Sequence, residues 1–251
     1  MIIQEKTLHG VSMKEVWYAT EPLKTKGIIN YRQAYFEPKS EFTPFDTLLT
    51  DLTQNEEDII GKMSKNTRYE VRRGDKEDIR CEFLSGDSLT AERITEFCDM
   101  FVEFWKSKGV EYAGKEKLRQ EISAYAKDGQ FLISIAYVQS YPCIYHTYIV
   151  DEKRVRLLHS ASLYRTDDEV NPSLVGIANR YLHKEDMMFF KKQGKEEYDW
   201  GGAGKTEDVA SITKFKKGFG GEEAVFYDFT KVKGIKAKAV TFLSGLKAKL
   251  R

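Results

Sequence analysis

Two glycine-rich segments near the end of the chain carry the side chains best suited to chemistry. Their sequences are YDWGGAG (198–204) and FKKGFGG (215–221). In the second segment, glycines beside Lys216 permit close approach to a ligand, where the ammonium could stabilise a developing negative charge. In the first, Asp199 follows Tyr198 at the end of a predicted strand, where a carboxylate could accept a proton or position an amine. Lys216 and Asp199 are therefore the candidate catalytic residues.

Both candidates also have a purely structural explanation. Lys216 belongs to a group of three lysines with Lys214 and Lys217, and such groups usually form a solvated surface. The glycines after Lys216 would then only form the turn into the last strand. Asp199 would accept hydrogen bonds from backbone N–H groups and fix the turn that follows it. For Asp199 we expect this structural role rather than proton transfer.

A basic helix is predicted after Asn55, where three consecutive acidic residues complement the positive end of the helix dipole. Apolar spacing continues this single helix to residue 73. One face carries Lys65, Arg68 and Arg72, and the planar guanidinium of arginine suits bidentate contact with phosphate. Lys65 and Arg68 are therefore candidate ligands of a phosphate-bearing substrate. The alternative is an ordinary solvated basic face.

From Ile79 onward, hydrophobic periodicity predicts the order strand, two helices, three antiparallel strands, helix, strand, helix, strand. The long helix begins at Asn171, which is followed by proline, and ends at Gly194. Its N-terminus is a generic anion site to which Asn171 would contribute. Near the start of the chain, strands are predicted at 28–36 and 47–52. This order indicates an α+β fold.

The composition excludes several classes of protein. The 251 residues include 40 basic and 39 acidic ones, so no global charge attracts nucleic acid or a membrane. The three cysteines are far apart, which argues against a disulfide framework and a zinc site, and we expect no metal. The N-terminal residues lack the apolar core of a signal peptide, and no apolar run is long enough to span a membrane. We therefore expect a cytoplasmic protein, and the oligomeric state stays open.

A basic amphipathic helix is predicted within residues 231–251, which include seven basic residues and no acidic one. The apolar stripe of this helix consists of Ile235, Ala239, Phe242, Leu243, Leu246 and Leu250. The helix could attach the protein to anionic lipid or to tRNA. We expect instead that the stripe docks the helix on the body of the protein.

The two glycine-rich segments together resemble the C-terminal signature of the Fem family. This family comprises the aminoacyl-tRNA-dependent transferases that build peptidoglycan cross-bridges, together with related Fem-like acetyltransferase domains. Two weaker segments agree: MSKNTRYEVRR (63–73) resembles the family's basic helix, and HSASLY (159–164) resembles its small-residue strand end. The resemblance covers residues 48–228 and implies a bacterial N-acyltransferase. Its α+β fold would be a GNAT-like core, with a mixed, mostly antiparallel sheet flanked by helices, after a short, incomplete GNAT-like N-terminal half.

The resemblance also assigns roles to individual residues. It implies that Lys216 contacts the donor or the transition-state charge, and that Arg68 binds a nucleotide-linked cell-wall precursor. The residues expected to bind substrate or donor are Arg68, Lys65, Phe215, Tyr198, Ser160, Ser162 and Asn171. The implied segments are a strand-rich N-terminal portion with the basic helix (1–78), the acyltransferase core (79–230) and the C-terminal helix (231–251).

Two departures from the family pattern bear on the acyl donor. The chain has no candidate for the helical hairpin with which cross-bridge enzymes often hold tRNA. The loop before the Asn171 helix has no glycine, whereas GNAT enzymes usually have a glycine-containing pyrophosphate loop there. We expect acyl-CoA as the donor and a small-molecule or cell-envelope amine as the acceptor. The alternatives are aminoacyl-tRNA-dependent transfer to a cell-wall precursor, and a degenerate GNAT-fold binding protein.

Overall fold

The computed structural model describes residues 1–163, 171–204 and 206–249, except for the side chains of residues 208 and 244–249. The strands are β1 (Ile2–Leu8), β2 (Val11–Trp17), β3 (Gly27–Ala34), β4 (Thr43–Asp51), β5 (Ile79–Leu84), β6 (Phe131–Val138), β7 (Tyr141–Val150), β8 (Arg154–Ser162), β9 (Glu197–Asp199) and β10 (Glu222–Lys233). The α-helices are α1 (Glu56–Lys62), α2 (Lys65–Gly74), α3 (Ala91–Lys106), α4 (Lys115–Lys127), α5 (Pro172–Lys192), α6 (Glu207–Lys217) and α7 (Ile235–Lys249).

The chain forms two compact units. The first comprises Met1–Thr47 with Ala224–Arg251, and the second comprises Leu48–Glu223. These bounds differ from the three segments expected from the sequence, because α2 packs on α5 within the second unit and most of β10 belongs to the first. Within the described part of the chain, no helix combines the length and the apolar composition needed to cross a membrane.

The first unit is built on four strands. β2 pairs antiparallel with β1 and parallel with β3, and β10 pairs antiparallel with β3. The core of this unit includes the stacked rings of Tyr31 and Phe229, whose centroids are 4.5 Å apart. The sequence does not predict β1, because Ile2 is its one fully buried residue and no apolar alternation marks the strand.

Helix α7 docks on β2 and β3 of the same unit through a narrow face. Ala237 is buried there, and Val240 packs beside it against apolar residues of both strands. The predicted docking stripe lies elsewhere, since Ile235, Phe242 and Leu243 are exposed. The docking prediction is therefore wrong about the face. The small side chain of Ala237 lets the helix backbone approach the strands closely, and the larger apolar residues point outward.

The second unit contains a sheet with the strand order β4-β9-β8-β7-β6-β5. β8 and β9 are parallel, and the other neighbouring strands are antiparallel. α5 and α3 lie on opposite faces: Ile144 packs with Val175 of α5, whereas Tyr145 donates a hydrogen bond to Glu96 of α3. The element order from Ile79 is the predicted one, and the α+β prediction is confirmed.

The single basic helix expected from the sequence is two helices, α1 and α2. Met63 has an extended backbone, and Ser64 caps α2 by accepting a hydrogen bond from the N–H of Thr67 at 3.2 Å. Arg68 spans the break, since its Nη1 donates to the carbonyl oxygens of Gly61 at 2.7 Å and Met63 at 2.6 Å. The single-helix prediction is wrong because the serine cap favours a new helix start over continuation.

Candidate functional site

The parallel strands β8 and β9 separate after a short paired stretch. Their last pair is Arg156 with Asp199, after which β9 ends and β8 continues beside β7. Gly201 lies just beyond this point with a φ of 70°, and a Cβ added there would be 1.9 Å from the carbonyl oxygen of Leu157. This backbone position therefore requires glycine. We refer to the region where the two strands part as the strand separation.

Lys216, in the last turn of α6, reaches the strand separation. Its ammonium donates hydrogen bonds to the carbonyl oxygens of Gly202 at 2.8 Å and Gly201 at 3.4 Å. Burial and the positive charge of Arg156 lower the pKa of Lys216 to about 8, although Asp199 opposes the change. The two glycine-rich segments are thus joined through the half-buried ammonium of Lys216. A positive charge held in this way can stabilise a nearby negative charge.

Asp199 is fully buried at the end of β9, and protein groups bind both of its carboxylate oxygens. Oδ2 accepts a hydrogen bond from Nη2 of Arg154 at 2.5 Å, and Oδ1 accepts one from the N–H of Gly201 at 2.9 Å. Arg154 and Arg156 are also buried, and their positions in register place them on the same face of the sheet as Asp199. Asp199 therefore holds the turn at the strand separation among cationic side chains.

On the face of the sheet covered by α5, five buried polar side chains form a connected chain. The hydroxyl of Tyr148 donates to Oδ2 of Asp186 at 2.6 Å and lies 2.8 Å from the hydroxyl of Tyr198. The Tyr198 hydroxyl lies 3.2 Å from Nδ1 of His183, and Oδ2 of Asp186 lies 2.7 Å from Nδ1 of His146. We call these five residues the buried relay.

The carboxylate of Asp186 fixes the hydrogen-bond directions in the buried relay. Burial and the charge of Asp186 raise the pKa of both Tyr148 and Tyr198, so both hydroxyls keep their protons. Tyr148 donates its one proton to Asp186, so Tyr198 donates to Tyr148 and accepts from Nδ1–H of His183. Burial lowers the pKa of His183 well below its ordinary value. A neutral His183 with its proton on Nδ1 has an unprotonated Nε2, in a ring that packs against Trp200 and Phe219.

Three members of the buried relay could also hold a metal ion. His146, His183 and Asp186 each place a donor atom within 4.8 Å of the others, in the part of the chain that the structure describes. Both ring nitrogens of His146 are already engaged, Nδ1 by Asp186 and Nε2 by Asn179 at 2.9 Å. Nδ1 of His183 carries the proton donated to Tyr198. A cation would have to displace these contacts, so the arrangement suits proton-bearing groups better than metal ligands.

His159 lies on the opposite face of β8 from the buried relay. Its Nδ1 is 2.8 Å from Oγ1 of Thr147, and its ring packs on Phe101 with a centroid distance of 4.8 Å. Burial and the charge of Arg156 lower the pKa of His159 to about 4. His159 is therefore a neutral packing residue near physiological pH.

The glycines of the second segment approach the protein's own chain. A Cβ added at Gly220 would be 2.4 Å from the carbonyl oxygen of Lys62, and one at Gly218 would be 2.8 Å from Oγ1 of Thr67. The N–H of Ser64 also donates to the carbonyl oxygen of Gly218 at 2.8 Å. The close approach expected at these glycines is thus made to the break between α1 and α2, rather than to a ligand.

The predicted phosphate ligands Arg68 and Lys65 lie near the start of α2. Arg68 is half-buried and uses Nη1 on the carbonyl oxygens at the α1–α2 break. Lys65 is exposed and makes no hydrogen bond or ion pair with the described residues. Helix α2 is tied to α5 by an ion pair of 3.2 Å between Glu70 and Arg180. Phosphate binding by Arg68 and Lys65 stays a prediction.

Three further predicted ligands lie on α6 and on the continuation of β8. Phe215 packs on the ring of His183 with centroids 5.6 Å apart, so it supports the buried relay from α6. Ser160 is exposed in β8 and pairs in register with His146, on the face that α5 covers. Ser162 is half-buried two residues further along the same face. Phe215 and Tyr198 therefore both contact His183, and Lys216 lies near Asp199, whereas Ser160 and Ser162 lie further along β8.

Asn171 caps α5, and its contacts occupy the backbone donors of the first turn. Its Oδ1 accepts a hydrogen bond from the N–H of Ser173 at 2.9 Å, and its carbonyl oxygen accepts one from Leu174 at 2.9 Å. Pro172 has no N–H. The N–H groups at this helix start are therefore engaged within the helix itself. The glycine-free segment 164–170 that precedes it lies outside the described residues.

Tyr198 is the one member of the buried relay with a site role predicted from the sequence, and neither Arg154 nor Arg156 has such a role. A signal is present in the chain, since His183 and Asp186 interrupt the apolar stripe of α5. Polar side chains on a buried face must find partners there. The sequence does not say that β7 supplies those partners.

Comparison of the sequence with protein-family models and with curated proteins finds no match. Solved structures do match. The crystal structure of FemX aligns with a TM-score of 0.60 and 12% identity, over 79% of this chain and 63% of FemX. The chain shares the fold of FemX. It spans less than two thirds of the FemX chain.

Two further structures have the same architecture as this chain and FemX. One is the C-terminal domain of a putative lysylphosphatidylglycerol synthetase from Agrobacterium fabrum, with a TM-score of 0.56 and 13% identity over 96% of this chain and 83% of that one. The other is L-PGS from Bacillus licheniformis, with a TM-score of 0.54 and 11% identity over 96% and 83%. The predicted Fem-like fold is confirmed, and identities this low show the fold alone.

Proposed function

We propose that the chain is an acyltransferase that moves an acyl or aminoacyl group from a donor to an amine at the strand separation. One observation carries the proposal: Lys216 is half-buried, with a pKa lowered to about 8, and its ammonium is bound by the backbone where β8 and β9 part. In GNAT-like cores this end of the strand borders the donor channel. An ammonium already held in place there stabilises the oxyanion of a tetrahedral intermediate without reorganising.

The buried relay supplies a destination for the proton that acyl transfer releases. The acceptor nitrogen attacks the acyl carbon, and Lys216 stabilises the negative carbonyl oxygen that results. The amine then loses a proton to Nε2 of His183, whose Nδ1–H is held by Tyr198. His183 returns that proton to the leaving group as the bond to the acyl carbon breaks, so no net proton is taken up. Asp199 holds the turn and takes no proton.

The start of α5 bears on the class of donor. Coenzyme A would need free N–H groups there to bind its pyrophosphate. The N–H groups of Ser173 and Leu174 are bound by Asn171, and Pro172 has none, so a pyrophosphate would compete with Asn171 for the donors at this helix start. The proposed donor is therefore an aminoacyl ester of tRNA rather than the acyl-CoA expected from the sequence. The name of the Agrobacterium fabrum neighbour describes a lysyl group on phosphatidylglycerol, which agrees with aminoacyl transfer on this fold.

Thermal unfolding and a transfer assay test the proposal. We expect the melting temperature of the full chain to rise with aminoacyl-tRNA but not with acetyl-CoA. A radiolabelled amino acid should pass from charged tRNA to an amine of a nucleotide-linked cell-wall precursor. Lys216→Ala should lower turnover far more than substrate affinity, whereas Lys214→Ala, at an exposed neighbouring lysine, should change neither.

Other outcomes of these assays would change the donor, the activity or the role assigned to Lys216. Stabilisation by acetyl-CoA alone, with transfer of the acetyl group, would reverse the donor assignment and keep the acyltransferase. Binding of tRNA or precursor without transfer would support the degenerate binding protein. Equal loss of turnover and affinity in Lys216→Ala would remove the oxyanion role from Lys216.

A further inference from the structure

The solvent face of α7 in the first unit is apolar. Ile235 is 91% exposed, Phe242 69% and Leu243 59%, and Ala239 between them is also exposed. At about 100° per residue, these four side chains fall within roughly one third of the helix circumference. We call them the apolar face of α7.

This apolar face is not the face that holds the helix in place. Ala237 and Val240 make the docking contacts, and helical spacing places them on the far side of α7 from the apolar face. The large apolar side chains therefore face solvent while the helix is docked. Contiguous exposed apolar residues of this kind mark interaction surfaces.

Lysines border the apolar face on both sides. Helical spacing places Lys236 along one edge and Lys238 along the other, and both are exposed. Lys231 and Lys233 are exposed on the strand that leads into the helix. Residues 231–251 contain no acidic side chain. An apolar face with lysines along both edges is the pattern of helices that lie in the interface of a lipid bilayer.

We propose that α7 binds the surface of a bilayer that contains anionic lipid. Phe242, Leu243 and Ile235 enter the boundary between headgroups and acyl chains, and the lysines contact lipid phosphates. The charge favours this partner over a second copy of the chain, since two lysine-bordered faces repel each other. The exposed apolar residues favour it over RNA, because phosphate contacts alone would not need them.

The test is co-sedimentation of the full chain with vesicles of phosphatidylcholine, with and without phosphatidylglycerol. We expect binding to the anionic vesicles alone, and weaker binding as the salt concentration rises. The measurement needs no substrate and no turnover, so its result is independent of the proposed transfer reaction.

Two double variants separate the apolar and electrostatic parts of the binding. Phe242→Gln with Leu243→Gln should weaken binding by about tenfold or more, because both side chains leave water on binding. Lys236→Gln with Lys238→Gln should weaken it by roughly tenfold to thirtyfold, since each lysine near an anionic surface strengthens binding about fivefold. Neither pair includes the buried docking residue Ala237, so the fold is kept.

Matched controls make the same changes elsewhere on the surface. Val110→Gln with Ile212→Gln removes two apolar side chains that are 45% and 51% exposed, and Lys117→Gln with Lys127→Gln removes two exposed lysines. Both controls should bind as the unchanged chain does. The proposal is overturned by absence of binding to anionic vesicles, or by equal loss in controls and α7 variants. RNA that displaces the chain from vesicles would overturn the proposal in favour of RNA binding by the apolar face. A dimer that dissociates in Phe242→Gln with Leu243→Gln would overturn it in favour of self-association.

Discussion

The hydroxyl oxygens of Tyr148 and Tyr198 lie 2.8 Å apart, and neither side chain is exposed to solvent. This contact crosses from β7 to β9 over the intervening strand β8. It connects Asp186 to His183, two residues of the same helix, and so determines which nitrogen of His183 carries the proton. The tautomer of His183 therefore depends on a hydrogen bond between two tyrosines outside that helix.

Replacing the Tyr198 hydroxyl should impair proton transfer while the ring stays packed. Tyr198→Phe leaves Nδ1–H of His183 without its acceptor, so we expect kcat to fall about tenfold to a hundredfold with little change in KM. The free energy of unfolding should fall by about 1–3 kcal/mol, because buried partners lose a hydrogen bond. Tyr137→Phe is the control, since it removes a hydroxyl that bonds Glu82 at 2.6 Å outside the site. An equal loss of kcat in both variants would contradict the relay.

The rate of transfer should fall as the pH rises through about 8, because Lys216 then loses the charge that stabilises the oxyanion. The measurement is the pH profile of kcat. In Lys216→Arg the alkaline fall should move to higher pH, since guanidinium keeps its proton. In Lys216→Met, kcat should drop about a hundredfold to a thousandfold with the pH dependence removed. An unchanged alkaline fall in Lys216→Met would assign that titration to another group.

The same lysine should make stability depend on pH. Because burial lowers the pKa of Lys216 from 10.5 to about 8, the unfolded chain binds a proton that the folded chain has lost over that range. The contribution of Lys216 to the free energy of unfolding therefore increases as the pH rises from about 8 to 10.5. Urea titrations across this range should show the increase in the unchanged chain and lack it in Lys216→Met. The exposed Lys214 gives the control variant, Lys214→Met.

Gly201 and Gly194 have nearly the same φ, 70° and 74°, but only Gly201 has a neighbour within 4 Å of an added Cβ. Gly194→Ala should therefore destabilise the fold by about 1 kcal/mol, the strain of a left-handed alanine. Gly201→Ala adds a collision with the backbone of Leu157 and should destabilise it by about 3 kcal/mol or more. Urea denaturation measures both. Equal effects would mean that β8 and β9 can shift apart at little cost.

Asp186 accepts hydrogen bonds from two fully buried groups, so its removal should be costly. Asp186→Ala leaves His146 and Tyr148 without their acceptor, and we expect a loss of about 3–5 kcal/mol of unfolding free energy. Glu185→Ala, at the half-exposed neighbour that pairs with Lys184 at 2.6 Å, should change it by less than about 1 kcal/mol. Chemical denaturation compares the two. A small effect of Asp186→Ala would show that water replaces the carboxylate.

The second unit is largely predictable because its signals are local. The three antiparallel strands before α5 are found as predicted, and α5 starts and stops at the expected cap and glycine. The errors arise where a local signal is weak or where two compete. β1 has little apolar pattern, and Ser64 ends one helix and starts another where apolar spacing alone predicts continuity.

The candidate site is less predictable because its partners are distant in sequence. Lys216 and Tyr198 stand in short motifs and can be singled out from the sequence. The contact between His146 and Asp186 joins residues 40 positions apart and exists because α5 packs on β7. The role of Asn171 is similar, since only the structure reports that its side chain occupies a donor that a pyrophosphate would need.

Gly218 and Gly220 pack against the α1–α2 break, so the FKKGFGG segment has two separate roles. The glycines serve the architecture, whereas Lys216 serves the proposed chemistry. A gene copy that had lost catalysis would remain under selection for the glycines but be free to replace the lysine. In surveys of related sequences, the glycine spacing would then mark the shape of the protein, and the lysine would distinguish enzymes from inactive descendants.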